Sequence, residues 1–140
     1  MGCHKKLRKE TSPILIKKRP SGDIIVLEGY TTVENPNFAI DLRCPPKDTG
    51  EISTHFSLIF YNSLGVDWYN YGTERSRNMV FYQPFDFKLR QQIKIEINTR
   101  SGFTQIEINE ELGGTDLEVI GCYEYLEFYG DINVDKIVIT

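Results

Sequence analysis

Ile93-Lys94-Ile95-Glu96-Ile97-Asn98 and Thr104-Gln105-Ile106-Glu107-Ile108-Asn109, parted by Thr99, Arg100, Ser101, Gly102 and Phe103, decide the fold. In both runs isoleucine alternates with a polar residue, which is the period of a strand with one face buried. Thr99 to Gly102 supply the turn chemistry, so the two runs read as an antiparallel hairpin. Working outward, the same period recurs. Phe38, Ile40 and Leu42 share one phase while Ala39, Asp41 and Arg43 share the other. Further strands are expected at 23–28, 54–60, 66–71, 79–82, 117–120, 125–129 and 136–139. About ten short strands are punctuated by Pro36, Pro45-Pro46, Gly50, Gly65, Gly72, Gly102 and Gly113-Gly114. That spacing predicts an all-β, two-sheet antiparallel sandwich or a barrel. No stretch carries a convincing helical period. Phe81, Phe85, Phe87, Phe103, Tyr125 and Phe128 are assigned to its core, because strand aromatics fill the space between sheets.

The chain has 140 residues, 40% hydrophobic and 26% charged, which suits one self-sufficient domain. No apolar run approaches a membrane span, and MGCHKKLRKE lacks the apolar stretch of a secretory signal, so a cytoplasmic protein is expected, exported if at all without a signal peptide. The net charge of −4 is unevenly spread. Residues 1–20 carry seven cations against Glu10, a local excess of +6, and the rest of the chain carries −10. An acidic body repels nucleic acid, so none is expected as a partner. Residues 1–12 are read as a basic, flexible arm and 13–140 as the folded domain, with the boundary near Thr11 and Pro13. Gly2 is an acceptor for myristoylation, Cys3 for palmitoylation, and Lys5 to Lys9 add basic charge, together the logic of peripheral membrane contact. Lys6 stands where the acylation motif wants Ser or Thr; otherwise the arm is a solvated basic tail.

Cys3, Cys44 and Cys122 form no metal-binding spacing, and with His4 and His55 as the only histidines neither a metal nor a cofactor is expected. Cys44 and Cys122 are read as free thiols on strands. Catalytic motifs are missing: there is no nucleophile elbow, zinc-protease motif or phosphate-binding loop, so an enzyme is not expected. The informative strand is His55-Phe56-Ser57-Leu58-Ile59-Phe60, where alternation sends Phe56, Leu58 and Phe60 to the core and His55, Ser57 and Ile59 outward. Trp68, Tyr69, Asn70, Tyr71, Glu74, Arg75 and Arg77 follow shortly. An outward face with an aromatic ring, an amide, a carboxylate and a guanidinium suits a neutral sugar, whose hydroxyls take charged hydrogen bonds and whose apolar side stacks on a ring.

These residues resemble the carbohydrate-recognition domain of the galectins. Gly22-Asp23-Ile24-Ile25-Val26-Leu27-Glu28-Gly29 and Phe38-Ala39-Ile40-Asp41-Leu42 are similar to the family's early strands, and Gly130-Asp131-Ile132-Asn133-Val134-Asp135-Lys136-Ile137-Val138-Ile139 to its closing strand. The resemblance covers about residues 13–140. It places the family's HxNxR strand on His55 to Ile59 and its WGxExR segment on Tyr71 to Ser76. It implies a jelly-roll-like sandwich of about five and six strands with a β-galactoside site on the concave sheet, glycans or glycoproteins as partners, and a possible homodimer. The carbohydrate-binding set carried over is His55, Ser57, Trp68, Asn70, Tyr71, Glu74 and Arg75, with Trp68 standing open between sugar platform and core anchor. Ser57 replaces the family's Asn, Ile59 its Arg and Ser76 its second Arg, while Tyr71 takes the tryptophan slot. A charged hydrogen bond contributes about 1.5 to 3 kcal/mol, so losing one arginine weakens lactose roughly ten- to a hundredfold. The reading is a lectin with a diverged site; its alternative is a galectin-like protein-interaction module that has lost sugar binding.

Overall fold

The computed structural model describes residues 3–6, 13–44, 53–61, 65–71, 74–79, 87–100, 102–117 and 120–140. The described residues form twelve strands: β1 (Cys3–Lys6), β2 (Ile14–Leu15), β3 (Ile24–Thr31), β4 (Phe38–Cys44), β5 (Ser53–Tyr61), β6 (Gly65–Asn70), β7 (Arg75–Met79), β8 (Gln92–Asn98), β9 (Thr104–Ile108), β10 (Glu111–Leu117), β11 (Tyr125–Gly130) and β12 (Ile132–Ile139). They build two six-stranded antiparallel sheets. The first runs β1-β12-β3-β8-β9-β10 and the second β2-β11-β4-β5-β6-β7. The all-β sandwich read from the alternation is present, and each sheet has six strands where about five and six were expected.

Period two explains the core directly. Ile93, Ile95, Ile97, Ile106 and Ile108 bury themselves from the first sheet, and Phe38, Ile40, Leu42, Phe56, Leu58 and Phe60 from the second, into one apolar cluster between the layers. The chain changes sheets at Gly130, between β11 and β12, where φ is +86° and a Cβ would lie 2.4 Å from the Asn37 carbonyl oxygen. Only glycine fits both constraints. Near the other end of the sandwich, buried Asp23 accepts from Arg19 Nε at 2.6 Å and from the Tyr123 hydroxyl at 2.5 Å. The Asp23 amide donates to Thr99 Oγ1 at 2.8 Å, so β3, the end of β8 and the segment before β11 are tied together. Burial, and then the Asp23 carboxylate, push the Tyr123 hydroxyl well above its ordinary range.

Several expectations change. Cys44 and Cys122 are not free thiols: they form a disulfide with Cα atoms 5.9 Å apart, closing 78 residues of sequence. Pairing of β11 with β4 sets Tyr125 opposite Arg43, and the Glu124 amide donates to the Arg43 carbonyl, so Cys44, one residue past that pair, meets Cys122, three residues before it. Phe103 is 51% exposed beside the β8–β9 turn rather than in the core, and Tyr125 lies half-buried in the outward phase of β11, since Leu126 points in. Phe87 is core, Phe128 packs partly against it, and Phe81 and Phe85 lie outside the described residues. Of the strands expected at 79–82 and 117–120, residues 80–82 and 118–119 lie outside the described residues; strands are described at Arg75–Met79 and Glu111–Leu117. Within the basic arm, Cys3–Lys6 pair with β12 as an edge strand, Cys3 opposite Ile139; Gly2 and the boundary near Thr11 lie outside the described residues.

Candidate functional site

The outer face of the second sheet is set by the phase of its strands. In β4 the inward residues Phe38, Ile40 and Leu42 leave Ala39, Asp41 and Arg43 outward, and in β11 the inward Leu126 leaves Glu127 and Tyr129 outward. In β5 Ser57 and Ile59 share that face, and β6 adds Asp67 and Tyr69. Register then aligns Glu127, Asp41, Ser57, Tyr69 and Ser76 in one row across five strands. A second row runs Tyr129, Ala39, Ile59, Asp67 and Asn78.

The first row is chemically continuous. The Ser57 hydroxyl donates to Asp41 Oδ1 at 2.5 Å, and both groups are buried although they belong to the outer face. Burial raises the Asp41 pKa above the ordinary carboxylate value, against the opposing pull of the Ser57 hydrogen bond and the Arg43 charge. Arg43 Nε lies 3.0 Å from Glu127, Nη2 lies 3.8 Å from Asp41, and Nη2 donates to the Tyr129 hydroxyl at 2.5 Å. Its guanidinium also sits 5.7 Å from the Tyr129 ring centroid. Tyr129 is pushed up to about 12, first by burial and then by Glu127. Beyond Ser57, the Tyr69 and Tyr71 rings meet edge to face with centroids 4.4 Å apart, and Tyr71 is 48% exposed. Fixed donors, carboxylates and exposed rings on one broad face can take a polar ligand with flat apolar patches.

Of the seven residues chosen from the sequence, the structure gathers some and separates others. Ser57 and Tyr71 lie on the outer face, and Glu74 is exposed in the turn between β6 and β7 with φ +55°. His55 lies in β5 beside the bulge between Leu42 and Arg43, and Arg75 pairs in register with Asn70; neither side chain is among the described ones. Trp68 is no sugar platform. It is fully buried opposite Leu58, with its ring 5.6 Å from Phe56. Asn70 likewise points inward, 1% exposed, because it shares the phase of Trp68. The alternation of β6 places Tyr69 outward instead. Asp41, Arg43, Tyr69, Glu127 and Tyr129 share this face and were not among the seven. The signal for two of them was present, since Asp41 and Arg43 occupy the outward phase of a strand whose inward phase is wholly apolar.

No protein-family model and no curated protein sequence matches this chain. Solved structures do. A double variant of human galectin-16 superposes with a TM-score of 0.72 at 10% identity, over 97% of this chain and 99% of that one. The galectin LEC-6 of Caenorhabditis elegans gives 0.70 at 13% identity, over 98% and 95%. CG-16, described as a homodimeric agglutinin from chicken liver, gives 0.56 at 14% identity over the whole of both chains. Similarity that spans complete chains while so few residues coincide is a likeness of architecture, and this chain has the galectin fold.

Proposed function

We propose that this chain is a non-enzymatic, carbohydrate-binding domain of diverged specificity that takes a neutral glycan on the outer face of the second sheet. The observation that carries the reading is the Arg43 guanidinium, held by Glu127, Asp41 and Tyr129 on β4, the strand next to that of Ile59. Ile59 cannot donate a hydrogen bond, so a sugar centred on that position loses its charged partner. Arg43 supplies one farther along the sheet, and Tyr69 and Tyr71 offer rings on the β6 side. Asp41, Glu127 and Asp67 crowd this face with carboxylate, which disfavours sialylated or sulfated ligands. Glycoproteins are the natural partners on this reading, and an oxidising compartment is its setting, since a disulfide such as Cys44–Cys122 persists there.

A glycan array on the purified chain, followed by calorimetry on its best ligand and on lactose, is the test. Binding to a neutral glycan is expected, with lactose weak, and Arg43→Ala should lower affinity about tenfold or more. A melting curve taken alongside separates lost binding from lost fold. Silence on the array, tight lactose binding, or unchanged affinity in Arg43→Ala each overturns the reading. The second reading, a protein-interaction module, is favoured by Tyr61, Tyr71 and Tyr129, which are 39%, 48% and 39% exposed, since tyrosines are enriched at such interfaces.

A further inference from the structure

The first sheet carries a groove of about 450 Å³ on the side of the molecule away from the face just described, lined by Glu28, Tyr30, Gln92, Lys94, Asn109, Glu110 and Asp135 among others. Register builds it. Lys136 of β12 pairs with Glu28 of β3, which pairs with Lys94 of β8, and Lys94 reaches Glu110 in the β9–β10 turn, so cation and carboxylate alternate across the sheet. The contacts are loose: Lys136 Nζ lies 3.5 Å from Glu28 and Lys94 Nζ 3.9 Å from Glu110, all four side chains being at least 40% exposed. Pairs this open contribute little to the fold, so stability does not account for the ladder.

Two features shape the groove. Asp135 is the extra residue of a bulge in β12, and Gly29 beside it has no room for a Cβ, which would fall 2.1 Å from the Asn133 carbonyl oxygen. At the other end the turn holds Asn109 and Glu110 at φ +51° and +67°. Asn109 is clamped onto β8, its Oδ1 accepting from the Lys94 amide at 2.8 Å and its own amide donating to the Lys94 carbonyl at 2.8 Å. Glycine is the usual second residue of such a turn, so Glu110 is retained there against its backbone preference. The Tyr30 ring stands along the groove, its hydroxyl fixed by Asn133 Nδ2 at 2.6 Å.

We infer that this groove is a second ligand site, for a neutral saccharide or polyol, on the sheet opposite the proposed lectin face. Charge selects the class. Lys94 and Lys136 nearly balance Glu28, Glu110 and Asp135, so neither a phosphate nor a cation is strongly favoured. A protein partner wants an apolar centre to its interface, and Ile93, the one aliphatic side chain of the lining, is buried. Alternating donors and acceptors beside a fixed ring suit hydroxyls on a ring-shaped ligand. With glycan sites on both sheets, a single copy of the chain could bridge two glycans.

The test is an amide-shift titration of the whole labelled chain with a panel of neutral oligosaccharides: lactose, maltotriose, cellotriose, mannotriose and chitotriose. At least one should move the Glu28, Tyr30, Gln92, Lys94 and Asn109 amides saturably. Lys94→Ala and Tyr30→Ala should each weaken that binding about tenfold, while Arg43→Ala leaves it unchanged. Shifts confined to the second sheet, no shifts in the groove with any sugar, or groove binding indifferent to both variants would overturn the inference. Loss of shifts at Ser57, Tyr69 and Arg43 bears only on the other face, so the two readings fail separately.

Discussion

Trp68 and Ser57 show how a single side chain's role turns on the phase of its strand. Trp68 fills the space opposite Leu58 and against Phe56, and it is one of the largest fully buried side chains among the described residues. Truncating such a ring leaves a cavity, so Trp68→Ala should cost about 3 to 5 kcal/mol in denaturant titrations. Its indole Nε1 has no hydrogen-bond partner among the described residues, so Trp68→Phe forfeits volume alone and should cost far less. A sugar platform would behave oppositely, with Trp68→Phe leaving stability intact and reducing glycan affinity. Ser57 stands on the outer face and is buried because it donates to Asp41 across the β4–β5 ladder. Alternation along the sequence gives the side of the sheet; only the cross-strand partner gives the accessibility.

At the scale of elements, the pairing of β8 with β9 sets Glu96 directly opposite Glu107 on the outer face of the first sheet. The hydrogen bond with Glu107, then burial, then the Glu107 charge raise the Glu96 pKa, and Lys94 only partly offsets them. The folded chain therefore holds this proton more tightly than the unfolded chain does. Stability contributed by the protonated pair is present below the ordinary glutamate value and is lost as pH rises through the raised one. Glu96→Gln should accordingly stabilise the chain by about 0.5 kcal/mol at pH 7 and have almost no effect at pH 3. Melting temperatures at the two pH values check it; an equal gain at both would show that charge repulsion is not the cause. The hairpin itself was legible from alternating isoleucines. The bounds of β7 and β10 were not, because Arg75–Met79 and Glu111–Leu117 lack a sustained apolar phase and are fixed by the ladders they join.

For the molecule as a whole, the disulfide is the strongest long-range constraint among the described residues, because it joins the end of β4 to the segment leading into β11 across 78 positions. Closing so long a loop in the unfolded chain contributes about 2 to 4 kcal/mol. The Cys44→Ser, Cys122→Ser double variant should lower the melting temperature by about 10 °C, and reduction of the wild type should lower it comparably. A melting temperature indifferent to reduction would mean that the bond contributes nothing to the folded chain in solution. The bond also lies next to Arg43, so reduction is expected to weaken glycan binding before it unfolds the chain.

The sequence by itself determined the all-β class, since alternation of Ile and Phe with mostly polar residues in β4, β5, β8 and β9 is incompatible with helices and makes each a strand with one buried face, whether in a sandwich or a barrel. It also determined that Ser57 and Ile59 stand in the phase of β5 opposite to Phe56, Leu58 and Phe60, which the period of two dictates without any partner strand. Pairing decided the rest. Which residues stand beside Ser57 depends on β4, β6 and β11 being laid side by side, and the last of these lies far away in sequence. Thus Trp68 and Asn70 left the candidate site for the core, Arg43, Glu127 and Tyr129 entered it, and two cysteines assigned as thiols became a crosslink. Local period is written in consecutive residues, but cross-strand neighbours are set by register, and only tertiary structure supplies register.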